Sequence, residues 1–307
     1  MKIGKFKEDI IKKIILGIFM ALSLTLFSSH TFAEEKLTVQ AVDTTLVEMG
    51  FSSEEVKKIS EKTKKQIVES GGEKADYTVE DVTLTYQSLD GKVYEVTDAN
   101  KNEIALMEKK DRKIAQLIDP LAFAGIDEEQ FREFQTFSSG FNDRAEGDWY
   151  GSTYITKVGA TSTNNIYEVW TEWTWTNGPK AWWTTDTVAT AWDIGFTAQQ
   201  NSDKQYRFVV RRYADGNIRT DNINDLKILH DQYGHQAKVP IGTFLQQSGG
   251  ISEKLLINKS VKGTKGLLTV YAHPTTPLGT SATIGPVSID FSTFAGYKWS
   301  YRLNINL

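Results

Sequence analysis

The segment from residue 166 to residue 196 constrains the fold most, because it carries six of the eight tryptophans in an alternating pattern. In its first half, one strand face would carry Tyr167, Val169, Thr171, Trp173 and Trp175. In its second half, one face would carry Val188, Thr190, Trp192, Ile194 and Phe196. A period of two is typical of β-strands. The segment therefore predicts two aromatic strands, with Trp173, Trp175 and Trp192 in the core, joined by a loop containing Trp182 and Trp183.

Further strand signals follow along the second half of the chain. Asp215-Gly216 is a hairpin turn signal, and residues 299–307 alternate cleanly between apolar and polar side chains, as a half-buried final strand does. Seven or more short strands separated by Gly and Asn turns predict an antiparallel β-sandwich or barrel-like domain.

The preceding stretch predicts a small helical and hairpin region, so the fold class is α+β overall. A first helix is expected with Asp43 at its N-cap and Gly50 just beyond its end. Ser52-Ser53-Glu54-Glu55 is a capping box for a second helix that would run to about Ser70. Asp90-Gly91 predicts a β-hairpin, and residues 102–118 predict a further helix.

Residues 1–33 have the pattern of a secretory signal peptide. A lysine-rich start precedes the apolar run 14–27, and Thr31 and Ala33 stand where signal peptidase requires small residues. An uncleaved membrane anchor is the alternative. We therefore expect a secreted, extracellular or cell-envelope-associated protein. The chain has no cysteine, so such a protein would have no disulfide.

Composition changes near residue 135 and predicts the domain organisation. Residues 34–135 carry 14 basic and 23 acidic residues and no tryptophan, whereas residues 136–307 carry 16 basic and 14 acidic residues and all eight tryptophans. We expect an acidic mixed helix and hairpin region at 34–135, a linker at 136–148 and a Trp-rich antiparallel β domain at 149–307.

The candidate ligand-binding residues are aromatic and acidic. Trp170 falls on the strand face opposite to the aromatic row, between Glu168 and Glu172. Trp182 and Trp183 are adjacent, so only one of them could face inward from a strand. An exposed patch of these three rings could stack on sugar rings. The two glutamates on the same face would complete the site.

Enzymatic activity has no positive support, and we lean against it. Glu168 and Glu172 are four residues apart, about 13–14 Å along a strand. Glycosidase carboxylates lie about 5–9.5 Å apart. Asp186 or Asp193 from the other aromatic strand could supply a partner for Glu172. Motifs of P-loop enzymes, Ser hydrolases and HExxH metalloenzymes are absent from the sequence.

No cofactor or metal is expected, although calcium remains an alternative. His230 and His235 are five apart, whereas helical metal-binding pairs prefer four. Calcium could be bound by an oxygen-rich stretch that does not match EF-hand spacing: Asp215, Asn217, Asp221, Asn222, Asn224 and Asp225. The chain has a net charge of −4 and no basic face, so we do not expect nucleic acid as a partner.

The sequence leaves three functions open. The first is an exported module that binds glycan or a cell-envelope polymer through exposed tryptophans. The second is a membrane-active, toxin-like β protein, since residues 184–197 alternate over a length that could cross a bilayer. The third is a carbohydrate-active hydrolase. The sequence does not indicate the oligomeric state.

Overall fold

A computed structural model describes residues 38–124, 149–176, 184–242, 244–277, 281–292 and 294–307. The predicted signal peptide, the predicted linker, Trp182 and Trp183 lie outside these residues. The chain divides into two compact units, Met1–Ala41 and Val42–Leu307, and only residues 38–41 of the first are described. Among the described helices, none is both long enough and apolar enough to cross a membrane.

Four α-helices and seventeen strands make up the described part of the chain. The helices are α1 (Val39–Glu48), α2 (Ser53–Lys58), α3 (Glu61–Ser70) and α4 (Lys101–Ile118), followed by a 3-10 turn at Pro120–Phe123. The first strands are β1 (Glu73–Lys74), β2 (Tyr77–Val79), β3 (Thr83–Gln87), β4 (Val93–Glu95), β5 (Trp149–Ala160), β6 (Asn164–Trp175), β7 (Thr185–Trp192) and β8 (Phe196–Ala198). The others are β9 (Lys204–Arg212), β10 (Ile218–Asn222), β11 (Lys227–Asp231), β12 (Gly234–Pro240), β13 (Gln246–Asn258), β14 (Thr264–Pro274), β15 (Ser281–Gly285), β16 (Ser288–Ser292) and β17 (Gly296–Asn306).

The strands form two large antiparallel sheets packed as a sandwich. Sheet I has the order β1-β5-β6-β13-β9-β10, with β8 also paired to β13. Sheet II has the order β11-β12-β7-β14-β17-β3-β4, with β2 also paired to β17. The predicted fold class, N-terminal helices with an antiparallel β-sandwich, is confirmed. Strands β1 to β4 precede residue 135 yet pair in both sheets, so the stretches on either side of the predicted boundary share one sandwich.

The core between the sheets is built from the alternating aromatic residues. Trp173, Trp175 and Trp192 are buried there, as predicted. Trp149 stacks on Trp299 with ring centroids 4.9 Å apart. A cluster of hydroxyl groups links the two sheets through hydrogen bonds of 2.9–3.3 Å, and its members are Thr153, Thr171, Thr190, Thr269 and Tyr301. Threonine therefore fits the inward-facing rows because its hydroxyl is satisfied by another buried hydroxyl.

The outer faces of both sheets are also covered. Helices α1 to α3 pack on the outer face of sheet I, where their apolar residues meet Tyr154 and Trp170. The separate hairpin β15–β16 packs on the outer face of sheet II, and Phe291 lies against Val270 there. Both faces of sheet I and both faces of sheet II therefore contribute to buried clusters.

Several local predictions are confirmed. The hairpins at Asp90-Gly91 and Asp215-Gly216 form, and both glycines adopt the positive φ that their turns need. The helix predicted at 102–118 is α4, and the final strand is β17. Ser52 and Glu55 form the capping box, with the Glu55 N–H donating to Ser52 Oγ at 3.2 Å.

Two local predictions are wrong. Helix α1 begins at Val39, and Asp43 instead pairs with Lys64 at 2.8 Å. The helix expected to continue to about Ser70 is broken between α2 and α3, because Ile59 is extended. Ser60 caps α3, and its N–H donates to a carboxylate on sheet I rather than to a helical carbonyl.

The two aromatic strands lie in different sheets, since β6 belongs to sheet I and β7 to sheet II. Their connection, whose residues 177–183 are not described, therefore joins one sheet to the other. Because the strands are not neighbours, the expectation that Asp186 or Asp193 could complete a carboxylate pair across a shared ladder is wrong.

Candidate ligand-binding surface

Trp170 lies under the N-terminal helices. It is 2% exposed and packs in the cluster formed by α1 to α3 with Tyr154. The Lys204 ammonium lies 5.1 Å from the Trp170 ring centroid and 3.2 Å from Glu168. The expectation of an exposed Trp170 is wrong, because the face opposite to the core is buried by a second apolar layer. A direct role of Trp170 and Glu168 in ligand binding stays a prediction.

Glu172 is also buried, and it joins sheet I to the start of α3. Its carboxylate accepts the Ser60 N–H at 3.2 and 3.3 Å, the Tyr206 hydroxyl at 3.3 Å and the Ser152 hydroxyl at 3.3 Å. Burial raises the pKa of Glu172, and its hydrogen bonds to Ser60 and Ser152 oppose that effect in part. The residue therefore acts as a structural acceptor in this structure, and its predicted ligand contact stays a prediction.

Replacing Glu172 by glutamine is expected to reduce the pH dependence of stability. Because its folded pKa is raised above the ordinary value of 4.5, ionisation favours unfolding, and stability falls as pH rises from about 4.5 to the folded pKa. The neutral amide of glutamine does not ionise, so it makes no such pH-dependent contribution to stability. Urea unfolding between pH 4 and pH 8 should show the variant gaining stability relative to the parent as pH rises. A constant difference across that range would contradict the assignment.

Asp186 belongs to a different buried network, between the sheets. Its carboxylate accepts the Tyr271 hydroxyl at 2.6 Å and lies 2.6 Å from His273 Nδ1, and both Asp186 and His273 are fully buried. The Trp175 Nε1–H donates to the Tyr271 hydroxyl at 2.9 Å. Burial, together with the charge of Asp186, raises the pKa of Tyr271. This carboxylate ties β7 to β14, and Glu172 faces the helices on the other side of sheet I.

Asp193 and strand β7 are the remaining features that the sequence pointed to. Asp193 pairs with Lys265 at 3.6 Å, away from Glu172 and Asp186. The structure therefore does not bring together the three carboxylates considered for a hydrolase. Strand β7, on which the membrane-active alternative rested, is hydrogen-bonded on both sides by β12 and β14, and seven of its eight residues are buried.

A partly exposed stack of aromatic and arginine side chains lies at one end of the sandwich. The guanidinium carbon of Arg211 is 5.4 Å from the Phe244 ring centroid and 5.9 Å from the Tyr213 centroid. The guanidinium carbon of Arg219 lies 4.8 Å from the Tyr213 ring centroid. We call these four residues the arginine–aromatic stack. Aromatic faces and guanidinium planes attract each other in this arrangement.

Arg207 contacts the stack from its buried side. It is buried and donates to both carboxylate oxygens of Asp225, at 2.8 and 3.0 Å, and to Gln247 Oε1 at 2.9 Å. Its guanidinium carbon lies 5.4 Å from the Phe244 ring, the same distance as that of Arg211. One guanidinium nitrogen of Arg207 donates to Asp225, and the other donates to Gln247 and to the Pro240 carbonyl. The guanidinium therefore has little freedom of orientation, and Phe244 rests on a fixed base.

The arginine–aromatic stack lies at the end of sheet I at which β6 ends. In the ladder, Trp175 of β6 is opposite Gln247 of β13, which is opposite Val209 of β9. Strands β6 and β9 therefore run parallel, and β6 ends at Trp175 where β9 continues towards Tyr213. Trp182 and Trp183 belong to the connection that starts there.

The sequence carries a local signal for part of the arginine–aromatic stack. Arg207, Val209, Arg211 and Tyr213 alternate before a hairpin turn, so their side chains share one strand face. What the sequence lacks is the placement of Phe244, which precedes β13. Its contacts with Arg207 and Arg211 depend on the pairing of β13 with β9.

The three aspartates among the residues considered for calcium are engaged with arginines. Asp215 pairs with Arg219, Asp221 lies 2.8 Å from Arg211, and Asp225 pairs with Arg207. Within the described ranges, no group of three or more His, Asp or Glu side chains is placed to hold a metal ion. This stretch does not fit a calcium site, because its carboxylates serve as counter-charges.

His230 and His235 both approach Glu253. Their Nδ1 atoms lie 3.2 and 2.6 Å from the two Glu253 oxygens, and His235 and Glu253 are buried. Since β12 lies in sheet II and β13 in sheet I, the pair joins the two sheets. The contact of His235 with Glu253 therefore supports the sandwich.

No family model and no curated protein significantly matches the chain. The T6 backbone pilin of serotype M6 Streptococcus pyogenes is similar at 15% identity and a TM-score of 0.33, over 53% of this chain and 36% of the pilin chain. A collagen-binding domain of a Staphylococcus aureus adhesin gives 8% identity and a TM-score of 0.27, over 50% of this chain and 95% of the domain. The collagen-binding subdomain of the Enterococcus faecalis surface protein ACE gives 8% identity and a TM-score of 0.27, over 52% of this chain and 97% of the subdomain. TM-scores of this size do not establish a shared fold, so the function is inferred from this chain's own residues.

Proposed function

We propose that the protein is an exported binding module that recognises an anionic glycan or a similar cell-envelope polymer. The binding surface is the end of the sandwich that carries the arginine–aromatic stack, and we keep Trp182 and Trp183 as further candidate ligand contacts. The proposal that the protein is exported is based on the signal-peptide pattern of residues 1–33. The observation that carries the proposal is the partly exposed stack of Phe244, Arg211, Tyr213 and Arg219 on the fixed Arg207–Asp225 base.

The chemistry of the stack suits a polymer of charged sugars. Aromatic faces bind the C–H faces of sugar rings, and guanidinium groups bind carboxylates and phosphates in a bidentate manner. Arg219 is exposed, and its present partner Asp215 is its own neighbour in the hairpin. Exchange of a solvated surface ion pair for a ligand anion costs little, because such a pair contributes about 0–1 kcal/mol.

The test is retention of the protein on purified, insoluble anionic cell-wall polymer. Replacing Tyr213 and Arg219 together by alanine should weaken binding by about tenfold or more, since each contact contributes roughly 0.5–2 kcal/mol. Ile218→Ala is a matched control, because Ile218 is exposed on the same strand as Arg219 but on its other face. Trp182→Ala with Trp183→Ala tests the loop separately.

Unchanged retention of both double variants would contradict the proposal, as would failure of the parent protein to bind the polymer. Tryptophan emission checks that the variants fold, because the six described tryptophans are buried.

A further inference from the structure

Helix α4 buries charged residues and exposes apolar ones. Glu108 is 1% exposed and Asp111 is 7% exposed. By contrast, Leu106 is 70%, Leu117 is 81% and Ile118 is 66% exposed. Leu121, in the turn that follows the helix, is 85% exposed. A helix on a soluble protein normally has the opposite polarity, so this face indicates a partner.

Polar bonds fix the orientation of α4. The Tyr297 hydroxyl donates to Glu108 Oε2 at 2.9 Å, and the Tyr86 hydroxyl donates to Asp111 Oδ2 at 2.8 Å. Ile104, on the same side of the helix, is buried in the inter-sheet core. Rotation of α4 to bury its leucines would break both hydroxyl–carboxylate bonds, so the apolar face stays towards solvent.

The exposed face also carries lysines. Lys109, Lys110 and Lys113 are exposed and lie between Leu106 and Leu117 along the helix. The spacing 106, 110, 113 and 117 places Leu106, Lys110, Lys113 and Leu117 in one row on the surface. Acidic residues on the exposed side lie at the two ends, Glu103 in the first turn and Asp119 after the last. The centre of the face therefore combines aliphatic side chains with positive charge.

We propose that this face of α4 binds the surface of an anionic lipid bilayer. A helix lying in the plane of the interface would place Leu106, Leu117 and Ile118 at the acyl boundary. The lysine stems are apolar and long enough to keep their ammonium groups at the anionic headgroups. Lysines within the apolar row suit a headgroup layer better than a protein partner, whose interface core would be depleted of lysine. This surface is distinct from the arginine–aromatic stack, so either proposal can fail without the other.

The experiment uses the full chain with a fluorophore on α4. Because the sequence has no cysteine, Leu117→Cys can be labelled singly with a nitrobenzoxadiazole dye, whose emission rises and shifts to the blue in apolar surroundings. Leu229→Cys, on the edge strand β11 and also exposed, is the control position. Each protein is titrated with vesicles of equal parts phosphatidylglycerol and phosphatidylcholine, and with phosphatidylcholine alone.

We expect the blue shift at position 117 only, and only with anionic vesicles. Replacing Lys109, Lys110 and Lys113 by glutamine should weaken the binding seen at position 117 by roughly 100-fold, since each lysine contributes about one factor of five near an anionic surface. These side chains are exposed, so the variant should fold. The local dye separates α4 from residues 1–33, whose apolar run could itself bind vesicles.

Three results would overturn the inference. One is no shift at position 117 with anionic vesicles, which would leave a protein partner for the face. Another is an equal shift at positions 117 and 229, which would mean that α4 has no special contact with lipid. The third is equal binding to both kinds of vesicle, which would remove the role of the lysines.

Discussion

Replacing Trp170 by alanine is expected to lower the free energy of unfolding by about 3–5 kcal/mol. The ring is buried between sheet I and helices α1 to α3, where it packs in the cluster of Tyr154, Phe51 and the apolar helix residues. Its removal leaves a cavity and takes away the surface on which the helices rest. It also removes the aromatic ring beside the Lys204 ammonium, which keeps its contact with Glu168. Urea unfolding followed by circular dichroism measures the loss.

Trp170→Phe is the matched control, because it keeps an aromatic ring against the helices and should lose less stability than alanine. Amide hydrogen exchange adds a local readout, since the alanine variant should lose protection in α1 to α3 more than in β14 and β17. A Trp170→Ala variant of parental stability that no longer bound the polymer would reverse the assignment. The ring would then be a ligand contact, as the sequence analysis expected.

Replacing Asp186 by alanine is also expected to lower the free energy of unfolding by about 3–5 kcal/mol. The carboxylate is fully buried and holds both the Tyr271 hydroxyl and His273 Nδ1 at 2.6 Å. Alanine removes the acceptor for the Tyr271 proton and leaves a polar void among Trp175 and its aromatic neighbours. Thermal unfolding, monitored by tryptophan fluorescence, gives the change.

Asp186→Asn is the control for this prediction. Asparagine keeps the size and one acceptor oxygen, so it should cost clearly less than alanine. Equal stability of the alanine variant and the parent protein would show that the carboxylate does not hold β7 to β14.

The sequence predicted the strands better than their partners. The period of two in residues 166–196 identified β6 and β7, and Asp-Gly pairs identified two hairpins. The same loop signal suits a hairpin within one sheet or a connection between two sheets, so the placement of β6 and β7 in different sheets could not be read from it. That choice depends on which strands are available to pair, such as β13 with β6 and β14 with β7.

The candidate site was predictable only in part. Period two placed Trp170, Glu168 and Glu172 correctly on the face opposite to the core, but the sequence cannot show that helices bury that face. The apolar stripes of α1 to α3 indicated that these helices needed a surface, without saying which one. Phe244 and Arg211 come together only through strand register, which no local pattern specifies.

Acrylamide quenching of tryptophan fluorescence, with and without anionic cell-wall polymer, tests whether the protein binds this polymer at the proposed surface. The six described tryptophans are each at most 5% exposed, so a quenchable population would report Trp182 and Trp183. We predict that such a population exists, that it is lost in the Trp182→Phe/Trp183→Phe variant, and that soluble polymer protects it in the parent. Protection should weaken in the Tyr213→Ala/Arg219→Ala variant. A parent protein whose emission is already fully shielded, or whose quenching does not change with polymer, would contradict a binding surface at this end of the sandwich.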